Sequence, residues 1–202
     1  MIRTVFFDLG NVLLRVDKQR ILSEFARLPG LSLPVVRRLA ESPVEQAFEK
    51  GLIDTDEYID RLNRECGLSQ PITMAALIDI WQKPFEEIPD VCELIPVLKR
   101  QVRLILLSNT NELHIRAVRR ITDILDEFDA LVLSYEVRSR KPEAAIYHKA
   151  LEIAGHDVSE CLFVDDLMDN VRAARRLGIR SHRFTTISKL RRFFLTAGLN
   201  LN

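Results

Sequence analysis

Cysteine is scarce in this chain. Cys66, Cys92 and Cys161 are three in 202 residues. They are widely spaced and form no C-x-x-C, which excludes a disulfide framework or a cysteine zinc site and suits a reducing, cytoplasmic setting. They are expected as small buried apolar residues. Glycine and proline are also few, seven and eight, too few for a linker-rich or disordered chain. Charge of one sign is missing: 29 Lys+Arg against 29 Asp+Glu leave a formal net charge of zero, where a general nucleic-acid binder would carry a basic excess. No window reaches about 18 consecutive apolar residues, so no membrane span is expected. The start, MIRTVFFDLGNVLLRVD, has an acid at position 8 and no basic segment leading into a long apolar core, which argues against a signal peptide. A soluble, cytoplasmic globular protein remains, 47% hydrophobic, with length for one domain and an inserted subdomain. Nothing demands more than a monomer.

Short apolar runs recur at long intervals: Ile2–Phe7, Val102–Leu107, Ala130–Ser134, Cys161–Val164 and Ser181–Phe184. Between them lie stretches with helical spacing, such as Val91–Arg100, Glu143–Ala154 and Asn170–Leu177. Apolar runs that barely alternate, separated by helices, are strands buried on both faces of a parallel sheet. The fold class is therefore α/β, a doubly wound parallel sheet. One long gap breaks the rhythm. Residues 18–28, 34–50, 54–66 and 73–83 read as helices, punctuated by Pro29-Gly30, Pro34, Pro43, Gly51, Gly67 and Pro71. A crossover needs only a dozen or so residues, so residues 15–89 read as an all-helical insert, and residues 1–14 and 90–202 as the α/β core.

Ligands gather at the carboxyl ends of parallel strands. There the chain places Asp8-Leu9-Gly10-Asn11, Ser108-Asn109-Thr110-Asn111, Arg140-Lys141-Pro142-Glu143, and Asp165-Asp166 with Asp169-Asn170. A lone Asp at a strand end is usually a helix cap; the ordered set at four strand ends is what points to chemistry. Two like charges 4 Å apart repel by about 4 kcal/mol at an effective dielectric of 20, so Asp8, Asp165, Asp166 and Asp169 on one rim need a cation. Oxygen ligands without His or Cys favour a hard ion, and Mg2+ is the common choice with phosphates. Carboxylates, Mg2+, a lysine and a hydroxyl suit a phosphoryl group, where catalysis is mostly positioning and charge neutralisation.

The set FFDLGNVL, LLSNTN, RKPEAAIY and FVDDLMDN resembles the haloacid dehalogenase (HAD) superfamily of hydrolases over nearly the whole chain. The insert resembles that superfamily's C1-type helical cap. The finer motifs resemble the branch of bacterial α-D-glucose-1-phosphate phosphatases and, more distantly, the phosphatase domain of soluble epoxide hydrolase. The resemblance implies a phosphatase acting on a small phosphorylated substrate. Asp8 would be the nucleophile, forming an aspartyl-phosphate that water hydrolyses. Asp8, the Gly10 carbonyl and Asp166 would hold Mg2+; Asp165, Asp169 and Asn170 would stand behind them and orient them. Ser108 and the Asn109 backbone would hold phosphoryl oxygens, and Lys141 would neutralise charge on Asp8 and the phosphoryl group.

One departure matters. The phosphatase pattern is D-x-D, its second Asp acting as general acid and base; here that position is Gly10. A missing general acid costs about 10²–10⁴-fold. A good leaving group such as the alkoxide of a hexose 1-phosphate, a substitute acid (Asp17 or His114), or loss of catalysis with retained phosphate-ligand binding would each account for it. His114 is also a candidate substrate contact. Trp81 and Phe85 are expected in the packing of the insert, with a sugar-facing lid as the alternative. The arginines at 172, 175, 176, 180 and 183 read as a solvated face. Two further readings compete: a dehalogenase of the same superfamily, in which no metal balances Asp165-Asp166, and a phospho-acceptor receiver domain, which lacks the insert and carries its acidic pair after strand one. The connections near residues 15–17 and 86–90 are expected to let the cap move as a lid.

Overall fold

The computed structural model describes residues 1–28, 31–40, 42–66 and 70–201, with the backbone alone at 39, 40 and 66. The expected breaks at Pro29-Gly30 and Gly67, and the Cys66 side chain, lie outside the described residues. In chain order the elements are β1 (Thr4–Phe7), β2 (Leu14–Val16), α1 (Lys18–Phe25), α2 (Leu33–Ala40), α3 (Pro43–Glu49), α4 (Thr55–Cys66), α5 (Met74–Trp81) and β3 (Phe85–Glu87). Then come α6 (Pro89–Cys92), α7 (Leu94–Lys99), β4 (Arg103–Ser108), α8 (Glu112–Val118), β5 (Ala130–Leu133), α9 (Ser134–Val137) and α10 (Ala144–Ala154). The chain finishes with β6 (Cys161–Asp165), α11 (Met168–Arg176), β7 (Arg180–Arg183) and α12 (Ile187–Thr196).

Five strands form one parallel sheet in the order β5-β4-β1-β6-β7. The chain winds outward from β1 in both directions, so the crevice beside β1 is the topological switch point. The unbroken apolar runs hide a period of two. Val5, Phe7, Leu104, Leu106, Leu162 and Val164 face α6, α7 and α12, whereas Phe6, Ile105, Leu107 and Phe163 face α10 and α11. Both faces are covered, which is why the strands are apolar throughout. Each fully buried Phe of β1 contributes about 1.5–3 kcal/mol. Register then places the site: Phe7 is paired with both Leu106 and Val164, so the next residue of β1, Asp8, emerges beside Leu107 and Asp165.

The insert is a separate apolar cluster of Phe25, Val36, Phe48, Tyr58, Leu62, Leu77 and Ile80, closed from below by Leu113 and Ala117 of α8. Two expectations are corrected here. The insert is not all-helical: its connections, β2 and β3, pair as an antiparallel ribbon with Leu14 opposite Glu87 and Val16 opposite Phe85. The expected boundary between residues 14 and 15 therefore falls inside β2. Three-residue strands are too short to leave a periodic signal, and their pairing is non-local. Likewise residues 34–50 form two helices, because Ser42 caps α3 by accepting from the Glu45 N–H and Pro43 opens it, and proline favours the first helical turn. Cys161 is buried and Cys92 half-buried, and both are free thiols. No helix among the described residues is long and apolar enough to cross a membrane.

Candidate active site

Lys141 is the centre of the site. It is 2% exposed, and its Nζ donates to Asp8 Oδ1 at 2.8 Å and to Asp165 Oδ2 at 2.7 Å. Two buried carboxylates from adjacent strands thus share one buried ammonium. Asp8 Oδ1 also accepts from the Leu9 N–H at 2.7 Å. Asp165 is fully satisfied: Oδ1 accepts from the Leu167 N–H at 2.8 Å, and the Asn170 amide reaches both oxygens at 3.0 Å. Asn170 is itself held by Tyr147, whose hydroxyl donates to its carbonyl at 3.0 Å.

The lysine arrives from the loop between α9 and α10, which Asn109 ties to the end of β4. The Asn109 amide donates to the Lys141 carbonyl at 2.8 Å, and its Oδ1 accepts from the Lys141 N–H at 2.7 Å. The Lys141–Pro142 peptide is cis. Ser108, at the tip of β4, is buried and lines the cavity; among the described residues its hydroxyl makes only a long 3.5 Å contact, to the Asn109 carbonyl, and stays available to a ligand.

Asp166 is half-buried and accepts from the Asn11 amide at 3.3 Å. Asn11 sits in the left-handed region, φ 54°, a conformation asparagine tolerates better than most residues. Its role had no motif; the Gly-Asn sequence at a strand end was the available signal. Gly10 lines the cavity beside it, and a Cβ there would meet only Val16 Cγ2, at 3.4 Å.

Carboxylate oxygens of Asp8, Asp165 and Asp166 all lie within 4.8 Å of one another. Burial pushes the Asp8 carboxyl up to about 7, with Lys141 pulling it down and Asp165 pushing it further up. Burial and then Asp165 also raise Asp166. One lysine does not balance three acids, and the protein alone shifts Asp8 and Asp166 toward the neutral form. The oxygens left over on Asp8 and Asp166 form a hard, oxygen-only donor set, which fits a small divalent cation.

Two expected site residues are placed differently. Asp169 does not join the cluster: its side chain is 81% exposed and pairs with Arg172 at 3.2 Å, because the first turn of α11 directs Asn170 inward and its neighbour outward. Asp17 is exposed and caps α1 by accepting from the Arg20 N–H, so it is spent as a cap. His114 does line the cavity. Burial drops its imidazole to about 3, and the ring packs edge-on against Trp81 with centroids 4.0 Å apart. A neutral imidazole of that kind is a poor proton donor to a leaving group.

The cavity over the carboxylates measures about 800 Å³. Its floor is Asp8, Gly10, Asn11, Ser108, Lys141 and Asp166, and the cap closes over it with Trp81, Phe85, Glu45 and Glu49 among others. Trp81 and Phe85 therefore both pack in the insert and face the site.

A family model described as haloacid dehalogenase-like hydrolase matches residues 2–178. The D-ribitol-5-phosphate phosphatase of Bacteroides thetaiotaomicron is 28% identical over 191 residues, which is 90% of this chain and 91% of that one. A HAD family enzyme of Bacteroides thetaiotaomicron, solved with magnesium and inorganic phosphate, superposes with a TM-score of 0.82 at 26% identity over 92% of this chain and 95% of that chain. The (S)-2-haloacid dehalogenase of a Pseudomonas species is 32% identical over 182 residues, 85% of this chain and 75% of its own length.

Proposed function

The chain belongs to the haloacid dehalogenase-like hydrolases, and from that premise we propose that it is a Mg2+-dependent phosphatase of a small phosphorylated metabolite, a sugar phosphate such as a hexose 1-phosphate. One observation carries this reading: Lys141 bridges Asp8 and Asp165 while Asp8 and Asp166 keep oxygens free toward the same cavity. A nucleophile, a cation site and a fixed positive charge then meet where a phosphoryl group would enter. The relatives named as a phosphatase and solved with magnesium and phosphate support it.

In the reaction an Asp8 carboxylate oxygen attacks phosphorus, the ester P–O bond breaks, and the alkoxide leaves and takes its proton from water. Water then attacks the aspartyl-phosphate, the bond to Asp8 breaks, and inorganic phosphate departs. Asp8, Asp166 and the Gly10 carbonyl would hold Mg2+, which supplies charge neutralisation for the phosphoryl oxygens. Lys141 favours the ionised form of Asp8 against its burial and faces the same oxygens, with the Ser108 hydroxyl and Asn109 backbone beside it. Asp165 and Asn170 hold the lysine in place. With Gly10 in place of an acid and His114 neutral, neither position supplies the leaving group's proton, which favours leaving groups that need little protonation.

The test is phosphate release from a panel of phosphomonoesters, with and without EDTA, by wild type and Asp8→Asn. Chelator and substitution are each expected to abolish it; activity in Asp8→Asn would remove the proposed nucleophile. Gly10 also favours a second reading, a phosphate-ligand binder without turnover, which predicts binding and no release across the same panel. The dehalogenase reading predicts halide release that EDTA leaves intact.

A further inference from the structure

We propose that Arg140, Glu45 and Glu49 form a subsite that reads hydroxyl groups, so that the substrate is a polyhydroxylated phosphate monoester rather than an apolar phosphate or a bisphosphate; this rests on the phosphatase reading above. Arg140 immediately precedes Lys141 and lines the same cavity as the carboxylates. Glu45 and Glu49, one turn apart on α3, line that cavity from the cap. Arg140 Nη2 lies 3.2 Å from Glu49 Oε2, and Tyr58 donates to Glu45 Oε2 at 2.7 Å. Arg140 Nε is buried with no partner among the described residues, and a buried donor left so is unfavourable until it finds an acceptor.

The mixture selects the ligand. Hydroxyls both donate and accept, so a run of them satisfies a guanidinium and two carboxyls together. Burial pushes Glu45 up to about 7, which adds donor character near neutral pH; burial also raises Glu49, with Arg140 pulling it back down. A second phosphate placed against Arg140, Glu45 and Glu49 would meet two carboxyls for one guanidinium. An alkyl chain laid against these three would strip water from them and pair none of them. Trp81 and Phe85, also lining the cavity, offer apolar surface to the C–H side of a sugar. The volume of about 800 Å³ suits a small-molecule site.

The experiment is calorimetric titration of the Asp8→Asn protein, in Mg2+, with glucose 1-phosphate, ribitol 5-phosphate, octyl phosphate and glucose 1,6-bisphosphate. Either sugar or polyol monophosphate is expected to bind at least tenfold more tightly than octyl phosphate or the bisphosphate. Adding Glu49→Gln, or separately Glu45→Gln, is expected to cut that preference at least fivefold. Octyl phosphate or the bisphosphate binding as tightly, or a preference that neither substitution moves, overturns the subsite. Wild-type turnover of p-nitrophenyl phosphate separates the two levels: turnover without a hydroxyl preference removes the subsite alone, whereas no turnover and no binding of any phosphate removes both readings.

Discussion

Asn109 holds the backbone of Lys141 at both ends of its amide, donating to the lysine carbonyl at 2.8 Å and accepting from its N–H at 2.7 Å. The clamp joins the tip of β4 to the loop that delivers the only ammonium buried among Asp8 and Asp165 in the described residues. Asn109→Ala removes both bonds and leaves two buried backbone groups unpaired, so it is expected to cost about 1–3 kcal/mol and to lower kcat more than it raises KM. Denaturant titration and steady-state kinetics check this; an unchanged kcat would mean the lysine is positioned without the clamp.

Lys141 carries a heavier load. Removing one partner of a buried charge pair costs about 3–5 kcal/mol, and Lys141→Met strands two carboxyls at once. The variant is expected to lose stability of that order in EDTA, to recover part of it in Mg2+, and to release no phosphate. Denaturation midpoints with and without the metal read this directly. A variant as stable as wild type in EDTA would show that the buried carboxyls do not depend on the lysine's charge.

Asn170 and Asp169 make a contrasting pair. Successive residues of a helix point about 100° apart, so adjacency in sequence does not mean a shared site. Asn170 is buried against Asp165, whereas Asp169 meets Arg172 in solvent. Exposed pairs contribute about 0–1 kcal/mol. Asp169→Ala is expected to leave kcat/KM within twofold of wild type, and Asn170→Ala to lower it at least tenfold. Equal effects would restore Asp169 to the site.

This phase effect marks what the sequence could and could not reveal. The sheet was legible because β1, β4 and β6 are buried on both faces and so form unbroken apolar runs; once they are parallel neighbours, Asp8, Ser108, Asp165 and Asp166 must share a rim. The β2–β3 ribbon was not legible, since Leu14–Val16 and Phe85–Glu87 are three-residue partners separated by the whole cap. Asn11 depends on a left-handed backbone that no motif announces. Glu45, Glu49 and Arg140 come together only through docking of the cap, which Ser134 secures by donating to the Glu49 carbonyl at 2.7 Å.

His114 carries a pH prediction. Asn111 caps α8 through Oδ1, which accepts from the His114 N–H at 3.0 Å, and this turns its amide NH2 toward His114 Nε2 at 3.3 Å. Nε2 is then an acceptor and the proton sits on Nδ1. Burial holds the folded imidazole at about 3, below its ordinary 6.5. The unfolded chain therefore takes up the proton first as pH falls, so this contribution to stability is present above 6.5 and is lost as pH drops toward 3. His114→Gln is expected to flatten the fall in stability between pH 7 and pH 5. Nitrogen NMR is expected to show a neutral Nδ1–H ring throughout that range; a ring titrating near 6.5 would contradict it.

Gly10 is the position where the chain departs from the D-x-D pattern, and the structure allows the acid to be put back. The backbone there is not in the left-handed region, and an added Cβ meets only Val16 Cγ2, at 3.4 Å, so Gly10→Asp is expected to fold. Its carboxyl would stand at the cavity floor between Asp8 and Asn11, where a leaving oxygen departs. General acid catalysis is worth about 10²–10⁴-fold when the leaving group is a poor one. Gly10→Asp is therefore expected to raise kcat/KM for alkyl phosphates at least tenfold and to change hexose 1-phosphate hydrolysis by less than threefold. The ratio of the two rates is the readout, because a general loss from misplaced charge moves both together. An equal gain on both substrates would mean the wild-type protein already lacks a proton donor that its own substrate needs.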